Sequence, residues 1–110
     1  MFAVVYQGYL KAGKDEEYQH AWKEVATYFI QHRGAIGSCL HRGENGLWLA
    51  YSRWPDRAKR DASWPSESNP ASEELPDDIR QAIATIKECI DPERKMPDIC
   101  LDVVHDLFLS

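Results

Sequence analysis

The stretch from Leu47 to Trp64, LWLAYSRWPDRAKRDASW, constrains the fold of this chain more than any other. Leu47, Leu49 and Tyr51 fall on one side of an extended backbone; Trp48, Ala50 and Trp54 fall on the other. A strand apolar on both sides must be covered on both faces. Pro55 cannot continue a hydrogen-bonded ladder, and Asp56 to Ala62 reads as a short charged helix.

The flanking segments supply the other layers. Phe2 to Leu10 is a second strand apolar on both sides, with Phe2, Val4, Tyr6, Gly8 and Leu10 opposite Ala3, Val5, Gln7 and Tyr9. Gly13 breaks it. Asp15, Glu16 and Glu17 then put negative charge where a helix N-terminus favours it. Tyr18, Trp22, Val25, Ala26, Phe29 and Ile30 recur at three- and four-residue steps, so a helix spans Lys14 to Arg33 with one apolar stripe. Gly34 ends it. Ser38 to Arg42 is a strand joined to the Leu47 strand through Gly43-Glu44-Asn45-Gly46, a hairpin signal.

Asp61 to Pro76 is polar, broken by proline and long for a connection inside a compact domain. It is expected to serve as a lid or as an arm reaching a partner subunit. Pro76 suits a first helical turn, and Ile79, Ile83, Ile86 and Ile90 form a core-facing stripe that Asp91-Pro92 stops. Ile99 to Val104 is the last strand.

The order β-α-β-β-α-β is the ferredoxin-like one: an α+β fold with an antiparallel sheet, its first and third strands central and its second and fourth at the edges. The two strands apolar on both sides are the first and third, so pattern and topology agree. The 110 residues suffice for one domain, 1–110, and are too few for two. Two helices cover only one sheet face. The other carries large apolar side chains, and a second copy packed sheet to sheet would cover it. A homodimer is therefore expected.

A formal net charge of −5 gives no cationic surface for phosphate-rich partners, so no nucleic-acid partner is expected. No apolar run is long enough to span a membrane, and MFAVVYQGY lacks the basic start and cleavage site of a signal peptide; no membrane partner and a cytoplasmic location are expected. Cys39, Cys89 and Cys100 are odd in number, widely spaced and set in apolar segments, which reads as buried free thiols. No CxxC or HExxH occurs, and no metal site is expected.

The opening strand, the Lys11-Ala12-Gly13-Lys14 turn into an acidic helix start, RGAIGSCLH before the second strand, and LAYSRW followed by Ala58 together resemble the antibiotic biosynthesis monooxygenase (ABM) domain of the dimeric α+β barrel superfamily. The matching residues run from Phe2 to about Trp64. The resemblance implies a dimeric α+β barrel. Members include oxygenases that act on polycyclic aromatic substrates without metal or flavin, and haem-degrading enzymes. Many members carry a histidine after the third-strand tryptophan, where this chain has Ala62-Ser63-Trp64. Trp64 matches a tryptophan of the haem degraders. The histidine those enzymes place one segment later is absent, and their first-strand asparagine is replaced by Tyr6 or Gln7. Haem degradation is thus disfavoured, and no cofactor is expected.

The candidate catalytic residues are Tyr6, His41 and His105. A phenol at Tyr6 could hydrogen-bond a substrate carbonyl or phenolate; the plainer reading is a core tyrosine with its hydroxyl at the rim. His41 and His105, near the ends of the edge strands, could act as bases; they are equally ordinary rim histidines. His20 and His32 read as solvated helix residues. The candidate substrate contacts are Tyr51, Trp54, Trp64 and Arg53. Trp54 and Trp64 could stack on a planar molecule, or simply anchor the strand end and the long connection. Arg53 and Arg57 bracket Trp54 and could hold an anionic group, or pair with Asp56 or Asp61 at the surface.

The expected ligand is a small apolar or aromatic molecule bound between sheet and helices. If the chain is an enzyme, cofactor-independent oxygenation is the reaction class. The rival is a non-catalytic binding or stress-related module using the same cleft.

Overall fold

The computed structural model describes residues 1–64 and 74–108. In chain order the elements are β1 (Phe2–Tyr9), α1 (Asp15–His32), β2 (Gly37–Arg42), β3 (Leu47–Trp54), α2 (Arg57–Ser63), α3 (Asp77–Cys89) and β4 (Ile99–Asp102). The four strands form one antiparallel sheet in the order β2-β3-β1-β4. This is the ferredoxin-like α+β arrangement, with the two doubly apolar strands at its centre.

Register decides which face each side chain takes. Phe2 lies opposite Trp54, Val4 opposite Ser52, and Tyr6 opposite Ala50. These positions form the helix-side face, where Phe2, Val4 and Trp54 are buried against Val25, Phe29, Ile79 and Ala82 of the helices. α1 and α3 pack against each other above this face. The outer face carries Ala3, Val5, Leu49, Tyr51, Ile99 and Leu101. Among the described residues no helix lies on it, and Ile99 and Leu101 are 40% and 42% exposed.

α1 follows its stripe with two departures. Ile30 is exposed, and Ala21 takes a core position instead. Gly34 closes the helix at φ +84°, the left-handed conformation glycine adopts at low cost. The Gly43–Gly46 link is a hairpin turn, with Asn45 and Gly46 both at positive φ. α3 buries Ile79 and half-buries Ile83 and Ile86; Ile90 lies just past its end, bridged to Leu10. β4 ends at Asp102, two residues short of the expected Val104.

The connection expected over Asp61 to Pro76 is shorter than the sequence suggests, because Asp61, Ala62 and Ser63 belong to α2. Most of the remaining connection, 65–73, lies outside the described residues, and with it the expected lid or arm. The buried-thiol expectation holds for Cys89 alone. Cys39 and Cys100 are exposed because β2 and β4 are edge strands; all three thiols are free.

α2 starts on Asp56, whose Oδ1 accepts the Lys59 N–H at 2.7 Å. Asp56→Ala is expected to cost about 1 kcal/mol in urea unfolding. Asp56→Asn, which keeps an acceptor, should lose less.

Candidate functional site

Small residues on the helix-side face make room for a cavity. Gly8, Ser38, Ala50 and Ser52 line its sheet side, and the Ser38 and Ser52 hydroxyls hydrogen-bond at 2.9 Å. Larger side chains there would fill the space beneath α1. The result is a cavity of about 480 Å³. All four tryptophans of the chain, Trp22, Trp48, Trp54 and Trp64, line it. Phe29 and Tyr18 complete the aromatic walls. Trp64 packs on Phe29 at a centroid distance of 4.8 Å and on Tyr6 at 5.9 Å. Burial pushes the Tyr18 phenol up to about 12, so it stays protonated.

One side of this apolar space is polar. Arg60, on α2, donates from Nη2 to the Tyr6 hydroxyl at 3.0 Å. A guanidinium has no acceptor, so Tyr6 must receive this bond and its own O–H stays available to donate. Among the described residues nothing accepts it. Burial raises the Tyr6 phenol above its usual range, and Arg60 offsets only part of that. The β1–β4 ladder pairs Val5 with Ile99, so its next step brings Asp98 beside Tyr6. Asp98 lines the cavity and has no hydrogen bond or ion pair among the described residues. It is open to water on one side. The protein still removes enough solvent to raise its carboxyl above the usual range, against the opposing pull of Arg60 and Lys95. Two further donors are buried without a partner among the described residues, Nε1 of Trp54 and Nε of Arg60.

Of the seven residues singled out from the sequence, the structure places Tyr6, Trp54 and Trp64 on the cavity. The other four lie away from it. Tyr51 and Arg53 are on the outer sheet face, where Arg53 Nε donates to the Tyr51 hydroxyl at 3.1 Å and Arg53 pairs with Asp106. His41 is exposed on the same face, its Nδ1 3.2 Å from the Leu49 carbonyl and its Nε2 3.5 Å from Cys39 Sγ. His105 is exposed beyond β4. Strand parity is the reason: Cys39 and His41 pair with Tyr51 and Leu49, so all of them point away from the helices. Sequence reading missed Arg60 and Asp98. The signal for Arg60 is its place four residues before Trp64 on one helix face. Asp98 sits in irregular chain, where no periodicity marks it. Among the described residues no group of three histidine, cysteine, aspartate or glutamate side chains could hold a metal ion.

No protein-family model matches the chain, and no curated protein matches it. Solved structures do. A putative antibiotic biosynthesis monooxygenase from Chloroflexus aurantiacus superposes with a TM-score of 0.71 at 13% identity, covering 99% of this chain and 98% of that one. Its counterpart from Nitrosomonas europaea gives 0.68 at 12%, covering 96% and 100%. The fold is that of the ABM structures. A mutant of SnoaB, a cofactor-independent oxygenase from Streptomyces nogalater, superposes at 0.68 with 11% identity, covering 96% and 95%. At these identities the likeness is one of ABM fold, over nearly the whole chain. Among the described residues no helix is long and apolar enough to cross a membrane.

Proposed function

We propose that this ABM-fold chain binds a small, planar, largely apolar aromatic molecule in the cavity between sheet and helices, as a homodimer. The convergence of all four tryptophans on that cavity carries the reading. Flat aromatic walls over a small-residue floor suit a fused-ring ligand, and offset or edge contacts add to the area buried. The favoured reaction class is cofactor-independent oxygenation, the class to which SnoaB belongs. In that chemistry the ionised substrate itself reduces dioxygen. A ring methylene becomes a carbonyl, one oxygen atom is incorporated and the other leaves as water. The protein need supply only a dry pocket, a base and donors to the developing oxyanion. The Tyr6 hydroxyl, held by Arg60 with its proton free, is such a donor in an apolar surrounding, which favours an enzyme over a passive binding module.

The test is titration with fused-ring phenols and quinones, followed by tryptophan fluorescence and thermal shift. Binding should quench the fluorescence, because every tryptophan lines the cavity. Ligand at about a hundred times its Kd should raise Tm by roughly 10 °C or more. Ala50→Leu places a larger side chain on the floor beside Tyr6 and should weaken binding roughly tenfold or more. Equal affinity in Ala50→Leu and the native chain would place the ligand elsewhere.

A further inference from the structure

We propose that the Tyr6 hydroxyl, held by Arg60, and the Asp98 carboxyl form a donor–acceptor pair that binds a ligand phenol by its oxygen and takes its proton onto Asp98. The inference rests on the aromatic-ligand reading and names the groups that would act on that ligand.

Three observations carry it. Arg60 occupies the acceptor side of the Tyr6 oxygen, so the Tyr6 O–H points its donor capacity at whatever enters the cavity. Asp98 is the complementary group, an acceptor on the cavity wall that no described residue satisfies. The sheet register sets the two side by side, yet they do not hydrogen-bond to each other. A ligand hydroxyl between them would satisfy both, accepting from Tyr6 and donating to Asp98.

The proton balance is closed within the site. Before transfer the ligand is neutral and Asp98 is a carboxylate. Afterwards the ligand oxygen is anionic beside the Tyr6–Arg60 donors and Asp98 is a neutral acid. The O–H bond of the ligand breaks, the O–H bond of the acid forms, and net charge is unchanged. The surrounding charges suit this exchange. Arg60 stabilises the new oxyanion, burial favours the protonated Asp98, and Lys95 on the same wall screens what negative charge remains. Cys100 is the next residue on this edge facing the same side.

The probe is a hydroxyanthraquinone with a single phenol remote from its carbonyls, whose absorption moves to the red on ionisation. It is titrated below its own pKa, by absorbance and by calorimetry in buffers of different ionisation enthalpy. The native chain should bind the dye as phenolate and release no proton to buffer. Arg60→Gln should bind it as phenol, roughly tenfold or more weaker. Tyr6→Phe, which keeps the ring in the core, should shift the spectrum the same way. Asp98→Asn is a near-isosteric change at an exposed position and so should fold as well as the native chain. It should bind the dye either as phenol, or as phenolate with about one proton released. Phenol-form binding by the native chain, a proton released by it, or an unchanged spectrum in both Arg60→Gln and Tyr6→Phe overturns the donor–acceptor assignment while leaving the aromatic cavity standing. No dye binding at all overturns both.

Discussion

Phe29→Ala should lower the unfolding free energy by about 3–5 kcal/mol in urea denaturation. Phe29 is 3% exposed, the point at which α1 meets the sheet and α2 together. Its ring contacts Trp64 at 4.8 Å, Tyr28 at 5.6 Å and Trp54 at 6.3 Å. The Arg33 guanidinium lies 5.9 Å from the ring centroid. Removing it leaves a void beside a cavity that is already open, so the surrounding rings lose contacts that no neighbour replaces. Against a typical domain stability of about 5–15 kcal/mol, the loss leaves a marginal fold. Trp64→Ala is the control. Trp64 is half-buried at the end of α2 and lines the cavity, so its removal should cost ligand affinity with α1 and α3 still formed by far-UV circular dichroism. If Phe29→Ala costs under about 1 kcal/mol, the helix is not anchored through this ring. If Trp64→Ala binds aromatic ligands as well as the native chain, the cavity wall lies elsewhere.

The topology was legible because periodicity acts at the scale of whole elements. The two-sided apolar patterns of Phe2 to Leu10 and Leu47 to Trp54 could be satisfied only in the centre of a covered sheet, and that is where β1 and β3 lie. The helical stripes on α1 and α3 followed for the same reason. The site was legible only in part. Tyr6, Trp54 and Trp64 share strand parity or helix position with the core and so fall on the cavity. His41 stands out in the sequence for its chemistry, which carries no information about which face of β2 it occupies; pairing with Leu49 turns it outward. Arg60 reads in sequence as one charge among many on a solvated helix. Only the fold brings it to Tyr6, fifty-four positions away. Asp98 depends on the register of a four-residue edge strand, which local sequence leaves undetermined. The cavity came from what is missing. Gly8, Ser38, Ala50 and Ser52 look unremarkable singly, and matter because they face one another beneath α1.

The outer face carries the second large effect. The native chain is expected to sediment as a dimer at micromolar concentration, and Leu49→Asp combined with Leu101→Asp as a monomer. Leu49, Tyr51, Ile99 and Leu101 form an apolar surface on either side of β1, whose Ala3 and Val5 on the same face are already buried in the single chain. The chain after β4 adds to it. Val103 N–H bonds the Met1 carbonyl at 3.0 Å and Asp106 pairs with Arg53, yet Val104, Leu107 and Phe108 are 81%, 91% and 83% exposed. Apolar side chains held at that exposure by fixed contacts call for a partner surface. A second copy offers the same apolar strands in return, as a two-fold contact requires. A stable contact needs about 800 Å² from each partner, within reach of a sheet face plus its trailing segment. Leu49 and Leu101 sit on separate strands of that surface, so two carboxylates there would be buried unpaired in a dimer at a cost of several kcal/mol. In a monomer both would meet water, so far-UV spectra should match the native chain. A native chain that sediments as a monomer, or a double variant that still dimerises, would place the partner surface elsewhere.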